Sequence, residues 1–255
     1  MITNVEIAEN LYDVYKDLAA SGIVTLGKTG RFEIISHPGY AWPNMIYPGQ
    51  DTRLAANGLD IPSLSQLPSS ADSPKLVVFG EEHATPETLQ QLSSLRFLPA
   101  TKWVNMTARI DALQVKNAKD RIKCEVIDSK KEEQWRDWAS VVEPVLFRNA
   151  RLDSRLFQYA EENGLFKLLT GYFEGQPVST ALLYYGKHPG FYMVATSPGF
   201  QGRGFAAELI RFGASIARSA GHDSIVLHST QAGLEFYRKL GFQEYGKLLL
   251  YYKMH

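Results

Sequence analysis

Apolar and polar positions in the N-terminal half alternate between helical and strand-like spacing. Residues 4–20 carry apolar side chains near helical spacing and Gly22 follows as a stop, so we expect an amphipathic helix here. The apolar positions of this helix are Val5, Leu11, Val14, Tyr15 and Leu18. The same pattern predicts strands at 30–36, 42–47, 75–80 and 97–110, and a helix at 85–95.

The C-terminal half shows a longer and more regular series of elements. Three strand-like runs lie at 165–172, 177–185 and 190–196, and the turn between the first two contains Gly175. Helices are predicted at 131–147, 153–163, 202–220 and 231–240, a strand at 224–229, and one or two strands at 242–254, and a new unit starts at 124–128. This order predicts an α/β chain with a mixed sheet of the α+β kind.

Two polar stretches interrupt the pattern. Residues 48–74 are rich in Pro, Ser, Asp and Gly, which predicts a long connection. Residues 111–123 form a polar link that contains Lys116, Lys119, Asp120 and Arg121. We therefore predict an N-terminal α/β domain over residues 1–120 and a second domain over residues 121–255.

Composition and charge exclude several classes of function. The chain has 27 basic and 27 acidic residues, which predicts neither a nucleic-acid partner nor a membrane-binding patch. Its one cysteine, Cys124, excludes an intramolecular disulfide framework and is expected to pack rather than react. His37, His83 and His188 lack the spacing of a metal site, so we expect no metal. The N-terminus does not resemble a signal peptide and no apolar run is long enough to span a bilayer, so a cytoplasmic protein is expected.

The stretch from Met193 to Gly221 carries the clearest chemical signal. It reads as a buried strand, a loop of small residues, Gln201-Gly202-Arg203-Gly204-Phe205-Ala206, and a helix. Backbone N–H groups at a helix start lack partners within the helix, and the helix dipole adds positive charge there. Glycine also lets a ligand approach the backbone, so this loop predicts a phosphate or pyrophosphate site. The alternative is a glycine-rich turn that only closes a strand–helix unit.

Two common phosphate-binding motifs do not fit. The loop is not a P-loop, because no Gly-Lys-Ser/Thr follows it. Gly202, Gly204 and Ala207 match a weak dinucleotide pattern, and Asp223 lies about twenty residues on. However, Asp223 precedes the next strand instead of ending it, and too little chain follows for a Rossmann sheet.

Two motifs together resemble those of the Gcn5-related N-acetyltransferase (GNAT) family. The coenzyme A loop of that family reads Arg/Gln-x-x-Gly-x-Gly/Ala, and residues 201–206 match every specified position. Residues 232–242, AGLEFYRKLGF, resemble the second signature, a helix that carries a tyrosine and is closed by Gly-Phe. The interval between the motifs suits one helix and one strand, and the resemblance covers about the last 130 residues.

The resemblance implies a GNAT acyl-CoA N-acyltransferase fold and acetyl-CoA as co-substrate. Residues 201–206 would then face the pyrophosphate, and Arg203 would add positive charge. The edge of the family's fourth strand, here Val194, Ala195 and Thr196, would pair with the amides of the pantetheine arm and supply an oxyanion donor. Thr230 stands where the family often has an asparagine that contacts this arm.

The resemblance also suggests which residues act on the reacting atoms. Tyr237 lies four residues before Gly241, as the family's general acid does, and a phenol keeps its proton at neutral pH. His228 is a candidate general base from its ordinary pKa, with Glu174 and Glu161 as weaker candidates. Each of these residues also has a structural interpretation, as a core aromatic, a strand histidine or a solvated carboxylate.

The sequence thus predicts an N-acetyltransferase that moves acetyl from acetyl-CoA to a primary amine of a small molecule or peptide in a ternary complex. The alternatives are a coenzyme A-binding sensor without turnover and an acyltransferase that uses a longer acyl-CoA. The N-terminal half is either a degenerate copy of the same fold or an unrelated α/β cap. A monomer and a homodimer are both open.

Overall fold

The computed structural model describes residues 2–50, 59–67, 73–113 and 122–254. Helices form close to the predicted positions, as α1 (Asn4–Ala19), α2 (Pro86–Ser94), α3 (Glu132–Phe147), α4 (Ser154–Glu162), α5 (Phe205–Ser219) and α6 (Leu234–Leu240). Strands form at or near the predicted positions as β2 (Phe32–Ser36), β3 (Met45–Pro48), β4 (Leu76–Gly80), β5 (Phe97–Arg109), β7 (Phe166–Phe173), β8 (Gln176–Tyr185), β9 (Pro189–Thr196), β10 (Ser224–Thr230) and β11 (Gln243–Lys253). Another strand, β6 (Lys123–Ile127), forms where the second unit was predicted to start. The mixed α/β class is therefore confirmed.

Several local details differ from the sequence analysis, among them the following three. A strand that was not expected, β1 (Thr25–Thr29), pairs with β2, although its exposed positions and Gly27 weaken the apolar signal. Val5 is 44% exposed, so it lies outside the apolar face of α1. Helix α5 begins three residues later than predicted, because Gly202 and Gly204 both have a positive φ.

All the described strands belong to one sheet with the order β1-β2-β3-β4-β11-β5-β10-β9-β8-β7-β6. The two halves exchange their last strands, so that each of these strands lies beside a strand of the other half. Strand β11 pairs with β4, and β5 pairs with β10. The two exchanged strands also pair with each other, antiparallel, over ten positions. The halves are therefore held together by backbone ladders as well as side chains.

The strand order of the N-terminal half repeats, reversed, in the C-terminal half. Strands β1, β2 and β3 form an antiparallel meander that steps to the parallel strand β4. Strands β7, β8 and β9 form the same meander and step to the parallel strand β10. In each half, a helix then leads to the exchanged strand. This repetition favours a duplicated fold over an unrelated cap.

In the N-terminal half, buried apolar side chains pack at the two parallel strands β3 and β4. Ile46 of β3 and Val77 of β4 belong to a buried cluster that also contains Leu59, Ile61 and Leu64. Ile61 and Leu64 lie on a short 3-10 helix within the long connection predicted at 48–74. The polar link residues Lys116, Lys119, Asp120 and Arg121, and with them the boundary near residue 120, lie outside the described residues, so the two-domain division stays a prediction.

Helix α1 crosses the sheet at the junction of the two halves. Its start is fixed by a capping box, in which Glu6 N–H donates to Thr3 Oγ1 and Thr3 N–H donates to the Glu6 carboxylate. Asn10 Nδ2 donates to the carbonyl of His188, in the turn between β8 and β9. Tyr184 of β8 donates to Asp17. The helix thus brings N-terminal residues onto the strands of the C-terminal half.

Candidate active site

Strands β9 and β10 run parallel, but they separate after a short contact. Among the described residues their register contains only two pairs, Val226 with Gly190 and Leu227 with Phe191. The next residues, Tyr192 and His228, still face each other with ring centroids 5.9 Å apart. Beyond this level the two strands continue to Thr196 and Thr230 without pairing. A cleft between separated strands begins at the Tyr192–His228 pair.

A β-bulge in β9 accompanies the separation. Thr180 pairs with Ala195 and Leu182 pairs with Tyr192, so Met193 and Val194 together oppose one residue of β8. Met193 has a φ of 48°, an unusual conformation for a residue other than glycine. A bulge of this kind bends a strand and increases its twist, so it turns the end of β9 away from β10.

The predicted strand-edge residues begin within this bulge at Val194 and continue through Ala195 and Thr196. Hydroxyl groups of β8 hold their backbone, because Ser179 Oγ donates to the Ala195 carbonyl at 2.9 Å. Thr180 Oγ1 donates to the Met193 carbonyl at 3.2 Å. Since β10 does not pair with this stretch, the edge can accept an extended ligand with amide groups.

The glycine loop connects the end of β9 to α5. Gln201 Nε2 donates to the Thr196 carbonyl at 3.1 Å and so closes the loop against the strand end. Gly202 and Gly204 have φ values of 74° and 90°, which glycine adopts without strain. Helix α5 starts at Phe205 and has no side-chain cap. The N–H groups of its first turn are therefore the donors that an anion would meet.

Arg203 is stacked on aromatic rings beside this helix start. Its guanidinium carbon lies 4.3 Å from the ring centroid of Phe173 and 4.9 Å from that of Phe205. A third ring, Phe200, lies 5.7 Å away. Stacking of this kind fixes a guanidinium by cation–π attraction. This stacking was not predicted, because Phe173 belongs to the β7–β8 hairpin, which is distant from Arg203 along the chain.

Tyr237 lies on α6, which follows β10. Its ring covers Gly233 so closely that a Cβ there would lie 3.1 Å from it, and Phe236 and Phe242 contact its other sides. Gly241 ends the helix with a φ of 101°. Burial raises the pKa of Tyr237 above the ordinary value near 10, so the hydroxyl keeps its proton at neutral pH.

Thr230 supports the turn that enters α6. The N–H of Gly233 donates to the Thr230 carbonyl at 3.1 Å and lies 3.3 Å from Oγ1. Ser229 Oγ also donates to the Thr230 carbonyl. Thr230 is exposed at the open end of the cleft, and its hydroxyl proton can still be donated to a ligand.

His228 lies at the closed end of the cleft. Its Nδ1 is 2.8 Å from Oδ1 of Asn105, a residue of β5 from the N-terminal half. Its Nε2 is buried without a hydrogen-bond partner. Burial lowers the pKa of His228 to about 3, so the imidazole is neutral at physiological pH.

The structure brings together most of the predicted site residues. The β9 edge, His228 and Thr230 border the separated strands, the loop residues Gln201 to Ala206 follow β9, and Tyr237 follows β10. Glu161 is engaged elsewhere, because it accepts from the N–H of Ser129 and burial raises its pKa. Glu174 lies in the β7–β8 hairpin turn. Tyr192, Asn105 and Phe173 contact the predicted site residues His228 and Arg203, and the sequence analysis did not single them out.

Two further observations concern metals and membranes. Within the described residues, no group of three or more His, Cys, Asp and Glu side chains is arranged to hold a metal ion, and the absence of a metal stays a prediction. In the same part of the chain, no helix is both long and apolar enough to cross a bilayer.

Solved structures that resemble this chain share its fold over nearly the whole length. A GCN5-related N-acetyltransferase from Kribbella flavida has a TM-score of 0.70 at 13% identity, covering 96% of this chain and 95% of the other. A protein of unknown function from Staphylococcus epidermidis has a TM-score of 0.63 at 15% identity, covering 95% and 96%. A GCN5-related N-acetyltransferase from Sphaerobacter thermophilus has a TM-score of 0.60 at 16% identity, covering 95% and 84%. These likenesses include the N-terminal half, which is consistent with a degenerate second copy of the fold.

The comparison with curated protein sequences found no match. The comparison with family models matched residues 129–242 to the acetyltransferase (GNAT) family. The matched segment runs from the start of α3 to the end of the tyrosine helix, so it contains the glycine loop and the separated strands. Residues 129–242, a little under half of the chain, therefore match the acetyltransferase (GNAT) family.

Proposed function

We propose that this protein is an N-acetyltransferase that moves the acetyl group of acetyl-CoA to a primary amine of a small molecule or peptide. One observation carries the proposal. Within the segment that matches the GNAT family, an unpaired strand edge leads directly into an uncapped, glycine-rich helix start. The edge suits the amides of a pantetheine arm, and the helix start suits a pyrophosphate.

Each predicted residue has a role in holding the co-substrate. The N–H groups at Gln201, Gly202, Gly204, Phe205 and Ala206 donate to the pyrophosphate. Arg203, held by the ring of Phe173, adds a positive charge beside it. Val194, Ala195 and Thr196 pair with the pantetheine arm, and Thr230 donates a hydrogen bond from the opposite strand.

The reaction needs a neutral amine, a donor for the developing oxyanion and a proton for the leaving thiolate. The amine nitrogen attacks the thioester carbonyl, the C–S bond breaks, and the sulfur takes a proton from Tyr237. The nitrogen releases one proton to solvent as the amide forms, and the phenolate of Tyr237 takes a proton from solvent to restore the phenol. A backbone N–H of the β9 edge stabilises the oxyanion.

His228 is too weak a base to remove a proton from an ammonium group. A lysine-like ammonium has a pKa near 10.4. Transfer of its proton to an imidazole of pKa about 3 is unfavourable by about 10 kcal/mol, since each pKa unit is worth 1.36 kcal/mol. We therefore propose that the amine arrives neutral and that His228 accepts a hydrogen bond from it.

Release of the coenzyme A thiol, measured over a panel of alkyl, aryl and peptide amines, tests the proposal. The expected result is release that depends on an amine and that falls in the Tyr237→Phe variant. Tight binding of acetyl-CoA without release over the whole panel would support a coenzyme A sensor. Faster release from a longer acyl-CoA than from acetyl-CoA would instead indicate a different donor.

A further inference from the structure

A chain of hydrogen-bonded amides runs from α1 to the closed end of the cleft. Asn105 Nδ2 donates to Asn4 Oδ1 at 2.8 Å, and Asn105 Oδ1 lies 2.8 Å from His228 Nδ1. We infer that Asn105, supported by Asn4, is a positioning residue that fixes the His228 imidazole as the Nδ1–H tautomer. Nε2 is then the hydrogen-bond acceptor at the closed end of the cleft.

The geometry of the chain favours this direction of donation. Asn105 is fully buried, so both ends of its amide need partners within the protein. Its NH₂ group is used by Asn4, which leaves its oxygen to accept from Nδ1–H. Asn4 is the first residue of α1, whose position is fixed by the capping box at Thr3.

The opposite tautomer would leave a worse defect. The Nε2 atom is buried and has no hydrogen-bond partner. If Nε2 carried the proton, a buried N–H donor would have no acceptor, and a buried polar group without a partner is costly. A lone pair at this atom is the more tolerable state, because unsatisfied acceptors are more common than unsatisfied N–H groups.

The groups that surround the imidazole keep it neutral. Tyr192 of β9 faces it, and the Tyr192 hydroxyl donates to Asn10 of α1. Burial raises the pKa of Tyr192, and the carboxylate of Asp13, one turn further along α1, raises it further, so Tyr192 is also neutral. Burial alone accounts for the lowered pKa of His228, with no contribution from a charged group.

This inference rests on the proposed function only in its consequence for catalysis. With Nδ1 held by Asn105, Nε2 is the ring nitrogen that has no partner within the described residues, so it is the atom of the imidazole that can still accept a hydrogen bond. An acceptor amine that reaches this end of the cleft would donate an N–H to Nε2 and direct its lone pair elsewhere. The N-terminal half, through Asn4 and Asn105, would then complete the active site of the C-terminal half.

Nitrogen NMR of protein labelled with ¹⁵N-histidine reads the tautomer without any assay of activity. The chain has six histidines, and a His228→Gln variant assigns the resonances of His228. The expected spectrum shows a neutral imidazole with a protonated Nδ1 and a bare Nε2 from pH 5 to 9. A protonated Nε2 in the unaltered protein would overturn the inference.

Two variants and one control separate positioning from general stability. In Asn105→Asp, a carboxylate of the same shape replaces the amide oxygen, and the pKa of His228 should rise by about one to three units. In Asn105→Leu, the two tautomers should mix and kcat should fall about tenfold, with the KM for acetyl-CoA within twofold. Thr107→Val is the matched control, because Thr107 Oγ1 also bonds from β5 to β10, at the Ile225 carbonyl, but does not touch His228.

Different results would refute the positioning role of Asn105 and the proposed acetyltransferase activity. Unchanged imidazole resonances in both Asn105 variants, or equal changes in Thr107→Val, would refute the positioning role. An unaltered protein with the expected tautomer but no acetyl transfer to any amine would instead refute the proposed function and leave the positioning role intact.

Discussion

Replacement of Gly202 by alanine tests whether the glycine loop receives a ligand. Gly202 has a φ of 74°, and a Cβ added there would meet no protein atom within 4 Å. The variant is therefore strained but not overcrowded within the protein. If acetyl-CoA binding is lost specifically in this variant, the added methyl group occupies space outside the loop that the ligand needs.

Gly221→Ala is the matched control at the other end of the same helix. Gly221 has a φ of 91° and the same open surroundings. A left-handed conformation costs a residue other than glycine about 1–2 kcal/mol, and the reduced freedom of the unfolded chain offsets about 0.4–1 kcal/mol. Each variant should lose about 1 kcal/mol, which lowers Tm by about 2–4 °C in a protein of this size.

Thermal unfolding with and without acetyl-CoA then separates the two variants. Ligand at a hundred times Kd stabilises the native state by about 2.7 kcal/mol, or about 5–10 °C in Tm. If the Cβ at residue 202 weakens binding tenfold, the same concentration supplies about 1.4 kcal/mol, and the Tm gain is halved. Gly221→Ala should keep the full gain, and equal gains in the two variants would refute the assignment of the loop.

Four further predictions concern the proton donor Tyr237, the stacking of Arg203 on Phe173, and helix α1. Tyr237→Phe should lower kcat about 10²-fold without changing the KM for acetyl-CoA, because it removes only the proton donor. Because burial raises the pKa of Tyr237, kcat in the unaltered protein should show no loss from this group below pH 10, which a pH–rate profile checks. Phe173→Leu should weaken acetyl-CoA binding about three- to tenfold, measured by calorimetry, because it removes the ring whose centroid lies 4.3 Å from the Arg203 guanidinium. Unchanged affinity would show that this stacking does not position Arg203 for the ligand. A hydrogen bond from Lys187 lowers the pKa of Glu6 to about 2, below its unfolded value near 4.5, so this stabilisation is present above pH 4.5 and is lost as pH falls toward 2. Glu6→Gln should therefore lower the free energy of unfolding by less than about 1 kcal/mol at pH 7 and by nothing near pH 2, and a constant difference across this range would contradict the assignment.

Local elements of this chain follow from its sequence because their signals are local. Strands β7, β8 and β9 form within one or two residues of their predicted bounds, since their apolar runs end at turn residues such as Gly175. Helix α3 continues through Pro144, because its buried Trp138 and Val142 stabilise the helix by packing. The loop and the tyrosine helix were found because their residues are close together in the sequence.

Features that depend on contacts between distant parts of the chain could not be predicted from local sequence patterns. The exchange of β5 and β11 depends on pairing between strands more than a hundred residues apart, which apolar spacing does not encode. Asn105 reads as a polar interruption in an apolar strand, and only the fold brings it to His228. The bulge at Met193 likewise depends on how β9 pairs with β8. These are the features that shape the closed end of the cleft.

Calorimetric titration of the whole protein with acetyl-CoA tests the central claim most directly. A Gly204→Glu variant places a carboxylate and a bulky side chain at the start of α5, and Gly221→Glu places the same group at its far end. We predict micromolar binding by the unaltered protein and by the folded Gly221→Glu variant, and no binding by a folded Gly204→Glu variant. An unaltered protein that is folded but does not bind acetyl-CoA would contradict the account and leave only a shared fold.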